Sequence, residues 1–193
     1  MDLISFAQNY HPFIVGAHLF GVVLGFGGAL IGDTLFFKFL RDLRIEEKEV
    51  GVLKIMSKIV WVGLFIIVLS GVFLFLSNID RYSQSVKFLT KMIVVGIIVL
   101  NGLVLNLVVT PRLTSINFGE SKASGIRSLA FACGAVSATS WWTAFILGLM
   151  GRSPWPFHIL FSIYLFILAG AILGSQVLEK LISSVFSHHI CDS

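Results

Sequence analysis

The sequence predicts an all-α membrane protein, a polytopic bundle of five transmembrane helices. Hydrophobic residues make up 56% of the 193 positions and charged residues only 12%, whereas soluble proteins average about 25% charged. Five apolar runs also approach or exceed the roughly 20 residues that cross a bilayer. The lipid bilayer is therefore the first predicted partner. The net charge of +4 comes from cations beside these apolar runs, so it does not indicate nucleic-acid binding.

The five predicted spans form one domain that occupies the whole chain. They cover residues 12–40, 54–76, 88–109, 126–150 and 156–182. Residues typical of turns separate them: Asn78 follows the second span, Pro111 the third and Pro154 the fourth. Pro156 suits the first turn of the fifth helix, because the backbone N–H that proline lacks has no partner there.

Basic residues predict the orientation of the chain. The side that carries the N-terminus holds only four of them, Arg81, Lys87, Lys91 and Arg152. The other ten lie on the opposite side, six of them in and beside the loop that follows the first span. Because cytoplasmic loops are enriched in Lys and Arg, we expect the N-terminus outside and the C-terminus in the cytoplasm. The expected location is the cytoplasmic (inner) membrane of a bacterium.

A row of small residues headed by one imidazole marks the first span. It consists of His18, Gly21, Gly25, Gly28 and Gly32. These positions step by three and four, so they share one face of a helix. Such a face accepts either a neighbouring helix or the flat body of a cofactor. His18 is expected about 9 Å inside the outer end of the span.

A second imidazole and an ammonium group are predicted at the same depth, on two other spans. His158 opens the fifth span and Lys91 lies near the start of the third. Two imidazoles on facing helices can bind the iron of haem b axially, so His18 and His158 are the predicted metal ligands. Gly21 and Gly25 would let the porphyrin approach the backbone. Lys91 would pair with a propionate. The predicted function is electron transfer or membrane redox chemistry, with a quinol or another redox protein as partner.

Each of these residues also has a simpler interpretation. The glycine row can seat a helix, His158 can be an interfacial residue, and Lys91 can extend to the surface. A hydrogen bond to a serine or a backbone carbonyl would satisfy His18. Two other functions therefore stay open. One is a cofactor-free assembly subunit, as a homo-oligomer or within a complex. The other is a small ion or metal transporter with a route along His18, Asp33 and Asn101.

Asp33 requires a partner inside the membrane. An ion pair with Lys58, or with Lys38 and Arg41, would join the first two spans, and a proton-relay carboxylate is the second interpretation. Two asparagines of the third span are expected to bond to neighbouring helices: Asn101 and Asn106.

Two short motifs resemble a known group of proteins. They are His18-Leu19-Phe20-Gly21 in the first span and Lys91-Met92-Ile93 opening the third. They resemble small integral-membrane proteins of the HemJ-type protoporphyrinogen oxidase and CopD-type copper-resistance group. In the HemJ-type family a first-helix histidine and a later lysine are associated with haem binding and activity. The resemblance thus implies haem at His18, with Lys91 as the matching lysine. It covers the first three spans. The five spans, the Gly27-Gly28 pair and His158 depart from the family pattern, so oxidase activity is not carried over.

Overall fold

The protein is helical throughout the residues that a computed structural model describes, which are 3–39, 47–112, 124–151 and 153–191. The helices are α1 (Leu3–Asn9), α2 (His11–Phe39), α3 (Glu47–Ser77), α4 (Ile79–Ser83), α5 (Val86–Val104), α6 (Ser124–Leu149) and α7 (Phe157–Cys191). A π-helical turn (Leu105–Val109) and a 3-10 turn (Thr110–Arg112) continue α5 without a break.

Five of these helices are long and apolar enough to cross a membrane: α2, α3, α5 with its continuation, α6 and α7. The predictions of an all-α chain and of five helices able to span a membrane are confirmed for the described residues, and these helices indicate an integral membrane protein. Two boundaries differ from those expected. α3 begins at Glu47 rather than position 54, and α7 continues to Cys191 rather than ending at 182. Helical hydrogen bonding continues past the apolar part, since Lys, Glu and Leu are good helix formers. The expected end of the first span, residue 40, lies outside the described residues.

The glycine row of α2 packs directly against α3. A Cβ atom added to Gly63 of α3 would lie 2.7 Å from the Cα of Gly25 and 2.9 Å from the carbonyl oxygen of Gly21. A Cβ atom added to Gly21 would lie 3.0 Å from the backbone nitrogen of Ile67 on α3, and one added to Gly28 would lie 3.1 Å from the Val60 side chain. The two helices thus meet backbone to backbone, which only small residues allow.

Helices α5 and α6 complete the bundle around a central apolar core. Val94 and Ile98 of α5 and Trp141 of α6 are buried in one cluster with Phe26 of α2. Helix α7 lies outside this group. Tyr164 is the residue of α7 that is buried in the central cluster. Its Oη atom lies 2.9 Å from the Oγ of Ser140 on α6. The open space enclosed by α2, α3, α5 and α6 contains the candidate site.

Candidate functional site

A cavity of about 140 Å³ lies between α2, α3, α5 and α6, around Asp33. We call it the Asp33 cavity. It has room for several water molecules, because a cavity of about 15 Å³ is enough for one. Four helices or their continuations supply its polar lining: Asp33, Ser57, Asn101, Asn106, Thr110 and Ser137.

The Asp33 carboxylate is the charged group of this cavity. Its Oδ2 atom is fully buried and has no hydrogen-bond partner among the described residues. The Ser137 side chain of α6 lies within interaction range of the carboxylate. The expected ion pair with Lys58 or Lys38 is wrong, because neither lysine forms a salt bridge with Asp33, and both residues are exposed. Lys58 is one position beyond the cavity-lining Ser57 and so points about 100° away around α3. Arg41 lies outside the described residues.

Two asparagines of α5 and its continuation bond to different neighbours and reach the cavity together. The Nδ2 of Asn101 donates to the carbonyl oxygen of Cys133 on α6, at 3.0 Å. The Oδ1 of Asn106 accepts a 2.8 Å hydrogen bond from the Ser57 hydroxyl of α3. The prediction that both asparagines join neighbouring helices is therefore confirmed. In a straight α-helix, positions five apart point about 140° away from each other. The wider π-helical turn that contains Asn106 brings it towards the side of Asn101.

The π-helical turn has its own local support. Such a turn bonds residues five apart instead of four, and here both the backbone N–H and the hydroxyl of Thr110 donate to the Leu105 carbonyl oxygen. The hydroxyl bond is 2.8 Å long. Pro111 follows, which has no N–H to continue the ladder. The Thr110 bonds therefore close the π-helical turn at the point where the regular ladder ends.

His18 lies at the other end of the bundle core. Its Nδ1 is 2.9 Å from the Oγ of Ser70 on α3. The single hydroxyl proton of Ser70 is donated to the carbonyl oxygen of Ile66, at 2.5 Å. The Ser70 hydroxyl therefore bonds both to the His18 ring and to the backbone of its own helix. This is the serine bond that the sequence analysis gave as the simpler interpretation of His18.

A small cavity of about 30 Å³ adjoins this histidine, and we call it the His18 pocket. Lys91 of α5 lines it together with His18, so the structure brings these two predicted site residues together. A Cβ atom added to Gly148 of α6 would lie 3.7 Å from the Nζ of Lys91. His158 is exposed in the first turn of α7, and it is not among the residues that line this pocket.

The arrangement around His18 does not fit a porphyrin. The backbone of α3 covers Gly21, and the Trp141 ring covers Gly25. The His18 pocket measures about 30 Å³, whereas sites for larger ligands measure about 300–1,000 Å³. Across the described residues, no group of three or more His, Cys, Asp or Glu side chains could hold a metal ion. Haem binding through His18 and His158 stays a prediction.

A buried ion pair joins α6 and α7, which the sequence patterns above did not predict. Arg127 of α6 donates through Nε to the Oε1 of Glu179, and its Nη2 donates to the Ser183 hydroxyl at 3.0 Å. One turn away, Gln176 accepts from the Ser128 hydroxyl. The available signal was Glu179, the one acidic residue within the predicted fifth span, because an intramembrane carboxylate requires a partner.

Comparison with known proteins gives no relative for this chain: no family model, curated protein or solved structure matches it. The resemblance to the HemJ-type and CopD-type group stays a prediction.

Proposed function

We propose that the protein binds a proton or a small monovalent cation in the Asp33 cavity and carries it across the membrane. One observation supports this above all others. A carboxylate oxygen without a hydrogen-bond partner among the described residues faces a cavity inside a bundle of membrane-spanning helices. Burying a charge away from water is unfavourable unless something compensates it. A bound cation or proton would supply that compensation.

The chemistry of the lining favours a hard cation. Carboxylate, amide and hydroxyl oxygens surround the cavity, and hard cations prefer such oxygen ligands. A single carboxylate, that of Asp33, contributes negative charge to the lining. It balances one positive charge, which supports a monovalent ion over a divalent one. The hydroxyls of Ser57 and Ser137 and the amide of Asn101 would replace part of the water shell of the ion.

The route runs along the bundle axis. The Asp33 cavity and the His18 pocket follow one another between the same four helices. With the N-terminus outside, as the basic residues predict, the His18 pocket lies in the outer half of the membrane. The Asp33 cavity then lies in the cytoplasmic half. This is the transporter hypothesis of the sequence analysis, with Asp33 and Asn101 in one cavity and His18 in the next.

Ion flux into proteoliposomes tests the function. In Asp33→Asn the side chain keeps its shape and loses its charge, so we expect uptake of protons or of Na⁺ or K⁺ to fall to the level of protein-free vesicles. An internal pH- or cation-sensitive dye measures uptake under an imposed membrane potential.

The matched control for this experiment is Asp80→Asn. Asp80 lies in the short helix α4, is exposed, and lines neither the Asp33 cavity nor the His18 pocket. Its replacement should leave uptake at the rate of the parent protein. Equal uptake by the parent and Asp33→Asn would overturn the proposal.

A further inference from the structure

We propose that the Trp141 indole is the movable partition between the Asp33 cavity and the His18 pocket, and that its displacement joins the two into one path. The inference rests on the proposed function, because a partition matters only if something passes. The new element is the residue that controls the passage of the cation between the two cavities.

Three side chains line both cavities: Leu64, Ile98 and Trp141. They therefore form the wall that separates the two. Trp141 is the largest of them and only 5% exposed, so it contributes most of the barrier. Narrow apolar constrictions of this kind stop water and ions without any charged group.

The indole is held by packing alone. It stacks on the ring of Phe26, with centroids 6.3 Å apart and planes inclined by 21°. A Cβ atom added to Gly25 would lie 2.5 Å from the Cη2 of Trp141, so the tip of the ring occupies space that only a glycine leaves free. Buried indole N–H groups usually find a hydrogen-bond partner. No described residue accepts a hydrogen bond from Trp141, so no polar bond has to break when the ring moves.

The neighbouring tryptophan provides an internal comparison. Trp142 is 47% exposed and lines neither cavity. Both tryptophans contact Phe26. Two adjacent residues of the same type therefore differ in whether they separate the cavities, and a matched pair of variants can test that difference.

A cysteine reporter on the Asp33 side measures the partition directly. In a background where Cys133 and Cys191 are replaced by serine, Gly134→Cys introduces a thiol at a residue that lines the Asp33 cavity and has open space around its Cβ position. A membrane-impermeant, positively charged methanethiosulfonate is added from the side where His18 lies. In the parent background labelling should be slow, because the wall blocks the reagent.

Trp141→Ala should raise that labelling rate by about tenfold or more, while Trp142→Ala should leave it unchanged. Trp141→Phe should restore part of the barrier. If Trp141→Ala does not fold, Gly25→Ala provides a second test, because the added methyl group displaces the ring tip. Gly27→Ala is its control, since nothing lies within 4 Å of that Cβ position.

Equal labelling in Trp141→Ala and Trp142→Ala, both folded, would overturn the partition. Where Trp141→Ala does not fold, equal labelling in Gly25→Ala and Gly27→Ala would do the same. The assay needs no ion flux, so it separates the two proposals. Faster labelling in Trp141→Ala combined with unchanged flux in Asp33→Asn would support the partition and reject the cation function.

Discussion

At the scale of single residues, Asp33 and Glu179 show how one bundle holds two buried carboxylates differently. Glu179 is paired with Arg127, and Ser183 binds the same guanidinium. The Oδ2 of Asp33 faces a cavity and has no hydrogen-bond partner among the described residues. Breaking a buried pair leaves an uncompensated charge, whereas neutralising a lone buried charge removes a cost. Glu179 is therefore expected to stabilise the fold, whereas Asp33 is expected to contribute little to it.

This contrast predicts opposite effects on stability. Glu179→Gln should lower the free energy of unfolding by about 3 kcal/mol, because the Arg127 guanidinium loses its carboxylate. Asp33→Asn should leave the free energy of unfolding unchanged or raise it. Thermal or denaturant unfolding in detergent measures both variants, with Asp80→Asn as the exposed control. A loss in Asp33→Asn as large as that in Glu179→Gln would contradict the assignment.

The sequence predicts individual residues only in part. The positions of His18 and Asp33 inside predicted spans follow from counting residues along an apolar run, and both lie in a helix long and apolar enough to cross a membrane. Their partners do not follow, because spacing indicates which face a residue occupies but not which helix covers that face. Ser70, which bonds to His18, is more than fifty positions away along the chain. The cavity around Asp33 depends on four helices at once, so no local pattern encodes it.

At the scale of helices, α2 and α3 are joined by their glycines. A Cβ atom at Gly63 would meet the backbone of Gly25, which cannot move aside as a flexible side chain can. By contrast, a Cβ atom at Gly27, on another face of α2, would meet nothing within 4 Å. Gly25 and Gly27 are two positions apart on α2, but only Gly25 lies at the contact with α3. The packing of the helices, and not the residue type, distinguishes them.

Alanine substitutions should separate these roles. Gly63→Ala should lower the free energy of unfolding by about 2 kcal/mol or more, because the methyl group forces the two helices apart. Gly27→Ala should leave the free energy unchanged or raise it by up to about 1 kcal/mol, since alanine favours the helix. Unfolding in detergent measures both variants. If the two variants lost equal stability, the close approach of α2 and α3 would not contribute as described.

The glycine row also shows what a helical pattern can and cannot predict. Its spacing predicts one smooth face, and that face exists. The pattern left open whether a helix or a cofactor would cover it, because both need small residues. The π-helical turn at Leu105–Val109 was not predicted. Apolar residues on every side of a helix give no periodicity from which a change of pitch can be detected.

At the scale of the whole molecule, the composition and the lengths of the apolar runs predict the five spans and the all-α class, since crossing lipid requires long apolar helices. The apolar runs do not predict how the helices are arranged around one another. Helix α7 packs beside α6 and α5, and eight of its large apolar side chains are exposed, among them Phe166, Leu173 and Val177. Lipid satisfies such side chains without any neighbouring helix, so hydrophobicity does not indicate where α7 lies.

A visible absorption spectrum of the purified protein tests the haem hypothesis for the whole molecule. Because α3 and Trp141 cover the glycine row and the His18 pocket is small, we expect no Soret band. The protein should be expressed with haem supplied, and His18→Ala should be measured beside it. A Soret band that disappears in His18→Ala would instead support haem binding and show that the helices rearrange around it.

The backbone contact between α2 and α3 has a consequence for movement. Helices that touch at their main chains cannot slide or separate without losing a continuous interface. We therefore expect α2 and α3 to move together as one rigid unit. Trp141 belongs to α6, and the wide turn with Asn106 continues α5. We therefore expect any rearrangement that admits an ion to Asp33 to be a movement of α5 and α6 relative to the α2–α3 pair, which stays in place.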